Sequence, residues 1–143
     1  MRYMLIVKAN GFSETGVNHG QEHVDTMMNY KKSLAIVGAL LAAEELQPSA
    51  SGIRVCYPPG GGEPEIQVGP FSADQELVAE YVLIDVRTEK EALEWALRIP
   101  IRLGVKSTIE IRRLEEKTEC LLDAGTKVME ANLKDHLHML RKF

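Results

Sequence analysis

Two adjacent glutamates, Glu44 and Glu45, are the residues of this sequence whose position best suits proton transfer. They follow the apolar run 39–43, which predicts a β-strand. Because neighbouring side chains of a strand point to opposite faces, only one of the two can face a given cavity. A carboxylate in a cavity can act as a general base towards an acidic C–H or O–H group. The alternative is that both glutamates are solvated or ion-paired on the surface.

Three further residues are candidates for contacting a small ligand. Arg54 and Tyr81 fall in predicted strands, where an arginine can bind a ligand carboxylate and a tyrosine can donate a hydrogen bond or stack on an aromatic ring. Phe71 stands at a Gly-Pro corner, and Asp74 and Glu76 follow it at what would be the mouth of a pocket. The alternatives are an ion pair for Arg54 and a core position for Tyr81.

The histidines resemble metal ligands only in their spacing. His19 and His23 stand in the order His-x-x-Glu-His, which is a zinc-protease signature in the right context. No third ligand is obvious, so two surface histidines near a helix start are the better interpretation. His136 and His138 are two residues apart and would not face one site on a helix. We expect no metal site.

A glycine-rich segment, 60–62, is the nearest approach to a cofactor motif. Neither a helix nor a Lys-Ser/Thr pair follows it, which argues against a phosphate loop. No nucleotide or flavin motif is present elsewhere. We therefore expect no cofactor.

The composition indicates one globular domain. The chain has 143 residues, 45% of them hydrophobic, with a net charge of −4 and a pI near 5.6. This acidic balance argues against nucleic acid, which requires a basic surface. No apolar run approaches the roughly 20 residues of a membrane span. Cys56 and Cys120 fit a reducing cytosol, so we predict a cytoplasmic protein.

Hydrophobic periodicity predicts strands and helices in two βαβ units. The predicted strands are 2–8, 39–46, 53–57, 65–68, 79–87 and 107–114, and the predicted helices are 19–38, 88–99 and a terminal helix from 115. This order gives an α+β fold of the ferredoxin-like βαββαβ type, with an inserted β-hairpin and an extra C-terminal helix. We predict one domain over 1–143, with a core of 1–114 and an extension of 115–143.

Local patterns predict which side chains are buried. Helical spacing marks an apolar face on each core helix: Val24, Met27, Met28, Leu34 and Ala35 on the first, and Ala92, Trp95, Ala96 and Ile99 on the second. The tryptophan would anchor the core. Thr88 and Glu91 match a capping box. Ile53, Val55 and Tyr57 alternate with polar residues, which predicts a strand with these side chains half-buried.

A sheet with both helices on one face leaves its other face to be covered. A common solution is to pack that face against the same face of a second copy in a closed barrel, so we predict a homodimer. The terminal helix must also cover something, either its own sheet or a partner. Its apolar stripe consists of Leu122, Met129, Leu133, Leu137 and Leu140.

Several segments resemble the YCII-related proteins, and more narrowly the branch named for an Asp-Gly-Pro-Phe motif. They are residues 2–6, 39–49, 68–71, 81–86 and 92–96 with 99–100. The resemblance spans about residues 1–114 and implies a dimeric α+β barrel. It implies a mostly undefined biochemistry: some relatives are dehydrochlorinases of chlorinated hydroquinones, and others are associated with extracytoplasmic-function sigma factors. The barrel superfamily also includes muconolactone isomerases and small monooxygenases.

The resemblance also bears on the candidate site. The family pattern keeps a glutamate at the place of Glu44, which makes Glu44 the predicted catalytic residue. Val68 stands where the motif has its aspartate. The His–Asp pair proposed as the acid/base of the YCII branch corresponds to Met27 and Ile36, neither of which can move a proton. The nearby substitutes are His23 and Asp25.

Three functions follow from these features. The first, favoured because both acid positions are lost, is a small-molecule-binding or regulatory protein without chemistry of its own. The second is a cofactor-free lyase, isomerase or monooxygenase acting on a small aromatic or lactone acid, with Glu44 as base and Arg54 and Tyr81 orienting the substrate. The third is an interaction protein whose terminal helix docks on another chain.

Overall fold

A computed structural model describes residues 1–15, 20–72 and 76–116 of the chain. Six strands, two longer helices and a single-turn helix lie within these ranges. In chain order they are β1 (Arg2–Lys8), α1 (Gly11–Glu14), α2 (Gln21–Ile36), β2 (Leu40–Glu45), β3 (Ile53–Cys56), β4 (Glu65–Val68), β5 (Val78–Asp85), α3 (Glu89–Leu97) and β6 (Ile109–Arg113), with a 3₁₀ turn at Ser49–Ser51 before β3.

The strands form two separate antiparallel sheets. The larger has the order β2-β5-β1-β6, and the smaller is the β3–β4 hairpin alone. With the hairpin set aside, this is the strand order of the ferredoxin-like βαββαβ plan. The predicted α+β fold with an inserted hairpin is therefore confirmed. Most of the predicted terminal helix lies outside the described residues.

Strand register divides the large sheet into a face that carries the helices and an open face. On the helix face Tyr3 pairs with Ile84 and Leu5 with Val82, and all four side chains are buried. Their alternation along β1 and β5 is what a strand with one covered face requires. The same core includes Met27, Tyr30, Leu34, Ala39, Val86, Ala92, Ala96 and Ile99 from α2, α3 and the segments beside them.

The helix termini follow the sequence signals closely. The backbone N–H of Glu91 donates to Thr88 Oγ1 at 3.1 Å, so Thr88 caps α3 as predicted. The Glu91 carboxylate, however, accepts from the backbone N–H of Arg87 at 3.2 Å, one residue before the expected donor. Gly38 has a φ of 74° after the last turn of α2, a conformation that favours glycine.

Three local predictions about helices were wrong or only partly right. No helix was predicted between the strand 2–8 and the helix 19–38, yet this segment contains the short helix α1. Val24 and Met28 are exposed, and Tyr30 occupies the buried position between Met27 and Leu34 instead. Trp95 was predicted to anchor the core, but it is only half-buried, at the core's edge. One side of its ring contacts Tyr30, and the Arg98 guanidinium lies 4.2 Å from the ring centroid.

The hairpin reverses the predicted burial pattern. Ile53, Val55 and Tyr57 are exposed, whereas the intervening Arg54 and Cys56 are half-buried. Period-two alternation correctly predicted a strand, but periodicity gives only the existence of two faces. It does not give which face meets the rest of the molecule.

Candidate functional site

A cleft of about 660 Å³ opens at the end of the large sheet where β1 finishes and α2 begins. Its lining combines the ends of β1 and β2, the start of β5, the first turn of α2 and the segment before β6. The lining residues are Val7, Lys8, Asn10, Ser13, His23, Val24, Glu45, Leu46, Gln47, Pro48, Ala79, Glu80, Pro100, Ile101, Arg102 and Ser107. A volume of this size suits a small organic ligand, since such sites measure roughly 300–1,000 Å³.

Backbone hydrogen bonds beyond the strand ends hold the cleft floor in place. The N–H of Lys8 donates to the carbonyl of Thr108 at 2.9 Å, and the N–H of Leu46 donates to that of Ala79 at 2.7 Å. At the cleft, β1 therefore stays joined to the segment before β6, and β2 stays joined to β5. A site on fixed strand ends positions its side chains more precisely than one on loops alone.

The cleft brings charges of both signs together. Glu45 and Glu80 are cross-strand partners on the helix face of the sheet, and both line the cleft. Arg102 supplies a cationic group, whereas the Lys8 Nζ forms an ion pair at 3.6 Å with Glu110, which lies on the open face of the sheet. Such a set can bind a molecule that carries both hydrogen-bond donors and acceptors. A second hollow of about 420 Å³ adjoins the cleft and shares His23 and Arg102 with it.

Tyr30 lies in the core and makes a structural hydrogen bond. Its hydroxyl donates to the carbonyl oxygen of Trp95 at 2.8 Å, which ties α2 to α3. Burial raises the pKa of Tyr30 well above its ordinary value, and the Arg98 charge lowers it by less; the Glu80 carboxylate raises it further. Tyr30 therefore stays a neutral donor.

The four predicted site residues form two pairs. Glu44 faces Tyr81 across β2 and β5 on the open face of the sheet, where Glu44 is exposed and Tyr81 half-buried. The Arg54 guanidinium lies 4.0 Å from the centroid of the Phe71 ring, in a cation–π contact. None of the four is among the described residues that line the cleft.

Ser49 holds the Gly-Pro corner, Gly69 and Pro70, in place through a hydrogen bond to the next residue, Phe71. The Ser49 hydroxyl donates to the Glu14 carboxylate and accepts the backbone N–H of Phe71 at 2.9 Å. Gly69 donates its N–H to the carbonyl of Gly52 at 2.9 Å, and a Cβ at this position would lie 2.7 Å from the Ser49 carbonyl carbon. The glycine is required because the Ser49 backbone fills the space of a side chain.

The remaining sequence candidates are mostly separated or outside the described ranges. His23 is half-buried in the cleft, whereas Asp25 is exposed and accepts a hydrogen bond from Gln21. Of the residues corresponding to the family acid pair, Met27 lies in the core and Ile36 is 85% exposed. The residues whose placement the structure does not describe are His19, Asp74, Cys120, His136 and His138.

Two further properties concern only residues 1–15, 20–72 and 76–116. No three His, Cys, Asp or Glu side chains there come together in an arrangement that would hold a metal ion. No helix there has the length and apolar character needed to cross a membrane.

Sequence reasoning missed most of the cleft. Glu80 is the clearest omission; Glu45 was a candidate, but Glu44 was preferred, and strand alternation contained part of the signal. If Glu44 lies on one face, Glu45 lies on the other, with the helices. The pairing of Glu45 with Glu80 depends on the β2–β5 register, which the sequence does not state.

The sequence model of the YCII-related domain matches residues 1–116. This range contains every described element of the fold and the whole lining of the cleft. No curated protein matches the chain significantly.

Proposed function

The chain belongs to the YCII-related domain family, and we propose that it is a small-molecule-binding protein whose ligand occupies the cleft between the sheet end and α2. The observation that carries this proposal is the cleft itself, with its volume of about 660 Å³ and the carboxylates of Glu45 and Glu80 in the same lining as the Arg102 guanidinium. A ligand with both acidic and hydrogen-bond-donating groups would satisfy this lining best.

We propose binding without chemistry as the primary function because the family acid positions carry no proton-transfer group. Met27 is held in the core and Ile36 lies at the opposite end of α2 from His23. A protein that binds a small ligand without turning it over suits a regulatory role. The association of some YCII-related proteins with extracytoplasmic-function sigma factors is in keeping with that role.

A cofactor-free enzyme is the second candidate, and one observation favours it. Glu44 and Tyr81 are directly opposed on the open face of the sheet, so a base and a hydrogen-bond donor stand side by side. A second copy packed over this face would enclose them. Arg54 and Phe71 would then have to enter the same cavity to orient a substrate.

The open face also supports the proposed homodimer. Met4, Ile6 and Leu83 lie at its centre and are only half-buried by the described residues of their own chain. Charged side chains, including Glu44, Glu110 and Arg112, surround them. A polar rim around an apolar centre is the usual anatomy of a protein interface.

The test is a screen of small polar molecules by two-dimensional NMR, combined with native mass spectrometry of protein purified from cells. We expect ligands to shift the amide signals of Ala79 and Ser107, which line the cleft. Arg102→Ala should weaken binding at least tenfold, since a hydrogen bond to a charged group contributes about 1.5–3 kcal/mol. Arg87→Ala, an exposed arginine away from the cleft, is the control. Ligands that shift only Tyr81 and Leu83, and that bind Arg102→Ala as well as wild type, would contradict the proposal.

A further inference from the structure

The β3–β4 hairpin presents an apolar face to solvent. Ile53 pairs with Val68 and Val55 pairs with Ile66, so the four side chains lie on one side of the two-stranded sheet. Their exposed fractions are 66%, 73%, 50% and 66%. We call this surface the arm face. Exposed patches of this kind on soluble proteins commonly mark interaction sites.

The apolar face of the hairpin points away from the rest of the described chain. Its other face carries Arg54 and Cys56, which are half-buried, and Gln67 and Glu65, which are exposed; Arg54 lies against the Phe71 ring. In a sheet with one solvated face the apolar side normally turns inward. Here the apolar side turns outward, and of the polar side only the two β3 residues, Arg54 and Cys56, are partly covered. A two-stranded sheet is also marginally stable by itself, so the arm face needs a cover.

We propose that the arm face packs against a second copy of this chain, so that each hairpin is an arm reaching onto its partner across a two-fold axis. This inference rests on the proposed homodimer and assigns the hairpin a part in it. The same patch occurs on both copies, and a two-fold axis buries both at once without leaving an open surface for further addition.

The described part of the chain ends at the edge of the large sheet opposite to the one from which the arm departs. The N–H of Leu114 donates to the carbonyl of Arg2, so the chain leaves the sheet beside the start of β1 and on the edge strand β6. The arm begins after Glu45, on the opposite edge strand and beside the end of β1. These corners are separated by roughly 20 Å along the strands and roughly 14 Å across them. Coverage of the arm face by the chain itself would require residues 117–143 to cross that distance, and the hydrogen-exchange measurement below distinguishes this alternative.

The size of the arm face indicates that it joins a larger interface. Its four side chains expose on the order of 400 Å² per copy, whereas a standard interface takes about 800 Å² from each partner. The open sheet face supplies the remainder in the proposed homodimer. The arm should accordingly strengthen the dimer rather than form it alone.

Full-length Ile66→Asp and Gln67→Asp make a matched pair for the test. Both residues are exposed on β4, but Ile66 lies on the arm face and Gln67 on the other. In sedimentation velocity over a concentration series, we expect Ile66→Asp to raise the dimer dissociation constant at least a hundredfold. Gln67→Asp should change it less than threefold. Equal dissociation constants for Ile66→Asp and wild type would contradict the proposed role of the arm face but would leave the proposed homodimer unaffected. A wild-type protein that stays monomeric throughout would overturn both.

Hydrogen exchange of the wild-type hairpin gives a second measurement that needs no variant. The amides of β3 and β4 should exchange more slowly as protein concentration rises and the dimer forms. Slow exchange that is independent of concentration would mean that the chain covers its own arm face, through residues 117–143 or otherwise. That result would also overturn the proposal.

Discussion

Replacing Gly69 by alanine is the sharpest test of how the Gly-Pro corner is built. The added Cβ would lie 2.7 Å from the Ser49 carbonyl carbon, closer still to its oxygen and 3.3 Å from the carbonyl oxygen of Gly52. Contacts below 3.0 Å essentially never occur for real Cβ atoms, and these neighbours are backbone atoms that cannot rotate away. The corner must therefore move as a whole.

The cost follows from the contacts that this movement breaks. Forcing a methyl group into a packed site costs about 1–3 kcal/mol. Separation of the two segments also weakens the hydrogen bond from Gly69 to Gly52 and the one from Phe71 to Ser49, each contributing about 1 kcal/mol. We expect Gly69→Ala to lower the free energy of unfolding by about 3 kcal/mol, which corresponds to a fall in Tm of roughly 10 °C.

Urea and thermal unfolding followed by circular dichroism will measure this loss. Gly60→Ala is the matched control, because a Cβ at Gly60 meets nothing within 4 Å and its backbone has no positive φ. That variant should stay within about 1 kcal/mol of wild type and can be slightly stabilising. If Gly69→Ala is as stable as Gly60→Ala, then the close approach of Ser49 to this corner does not constrain folding and our explanation of the glycine is wrong.

Three other predictions concern the hydrogen bonds of single hydroxyl groups. Thr88→Ala removes the cap of α3 and should cost about 1 kcal/mol in urea unfolding, whereas Thr88→Ser should retain most of the stability. Tyr30→Phe should lower the free energy of unfolding by about 1 kcal/mol at pH 7, because it removes the hydrogen bond to Trp95. Because burial raises the pKa of Tyr30, the unfolded state loses the phenol proton at a lower pH than the folded state does. Wild-type stability should therefore fall above pH 10 by up to about 1.4 kcal/mol per pH unit through this group. The variant lacks this pH-dependent contribution, so the stability advantage of wild type over Tyr30→Phe should decrease from pH 10 to pH 11. An advantage that does not decrease would contradict the assignment. Ser49→Ala loses its bonds to Glu14 and Phe71 and should cost about 2 kcal/mol, and an unchanged urea midpoint would show that these bonds do not stabilise the corner.

The elements of the fold were largely predictable because their signals are local. Thr88 and Glu91 mark the start of α3, and Gly38 marks the end of α2, through contacts within a few residues. The β4 strand, Glu65–Val68, has the predicted bounds. Periodicity failed where two faces compete for one core, as in the hairpin that turns Arg54 inward. That choice depends on the Phe71 contact, which joins distant segments.

The site was less predictable because it is assembled from strand ends. The sequence predicted that Glu44 and Glu45 would diverge, and the sheet places them on opposite faces. Which of the two meets a cavity depends on the position of α2, Arg102 and Ser107, all remote in sequence. The family resemblance favoured Glu44 because the family pattern has a glutamate at that position. It does not indicate which residues line this cleft.

The measurement that tests the account most directly compares Glu45→Gln with Glu44→Gln for one ligand that the screen identifies. The two substitutions remove the same charge from neighbouring residues on opposite faces of β2. If the ligand lies in the cleft, calorimetry should show binding to Glu45→Gln weakened at least tenfold and binding to Glu44→Gln unchanged within twofold. The reverse result, with Glu44→Gln impaired and Glu45→Gln normal, would place the ligand on the open face and contradict the account.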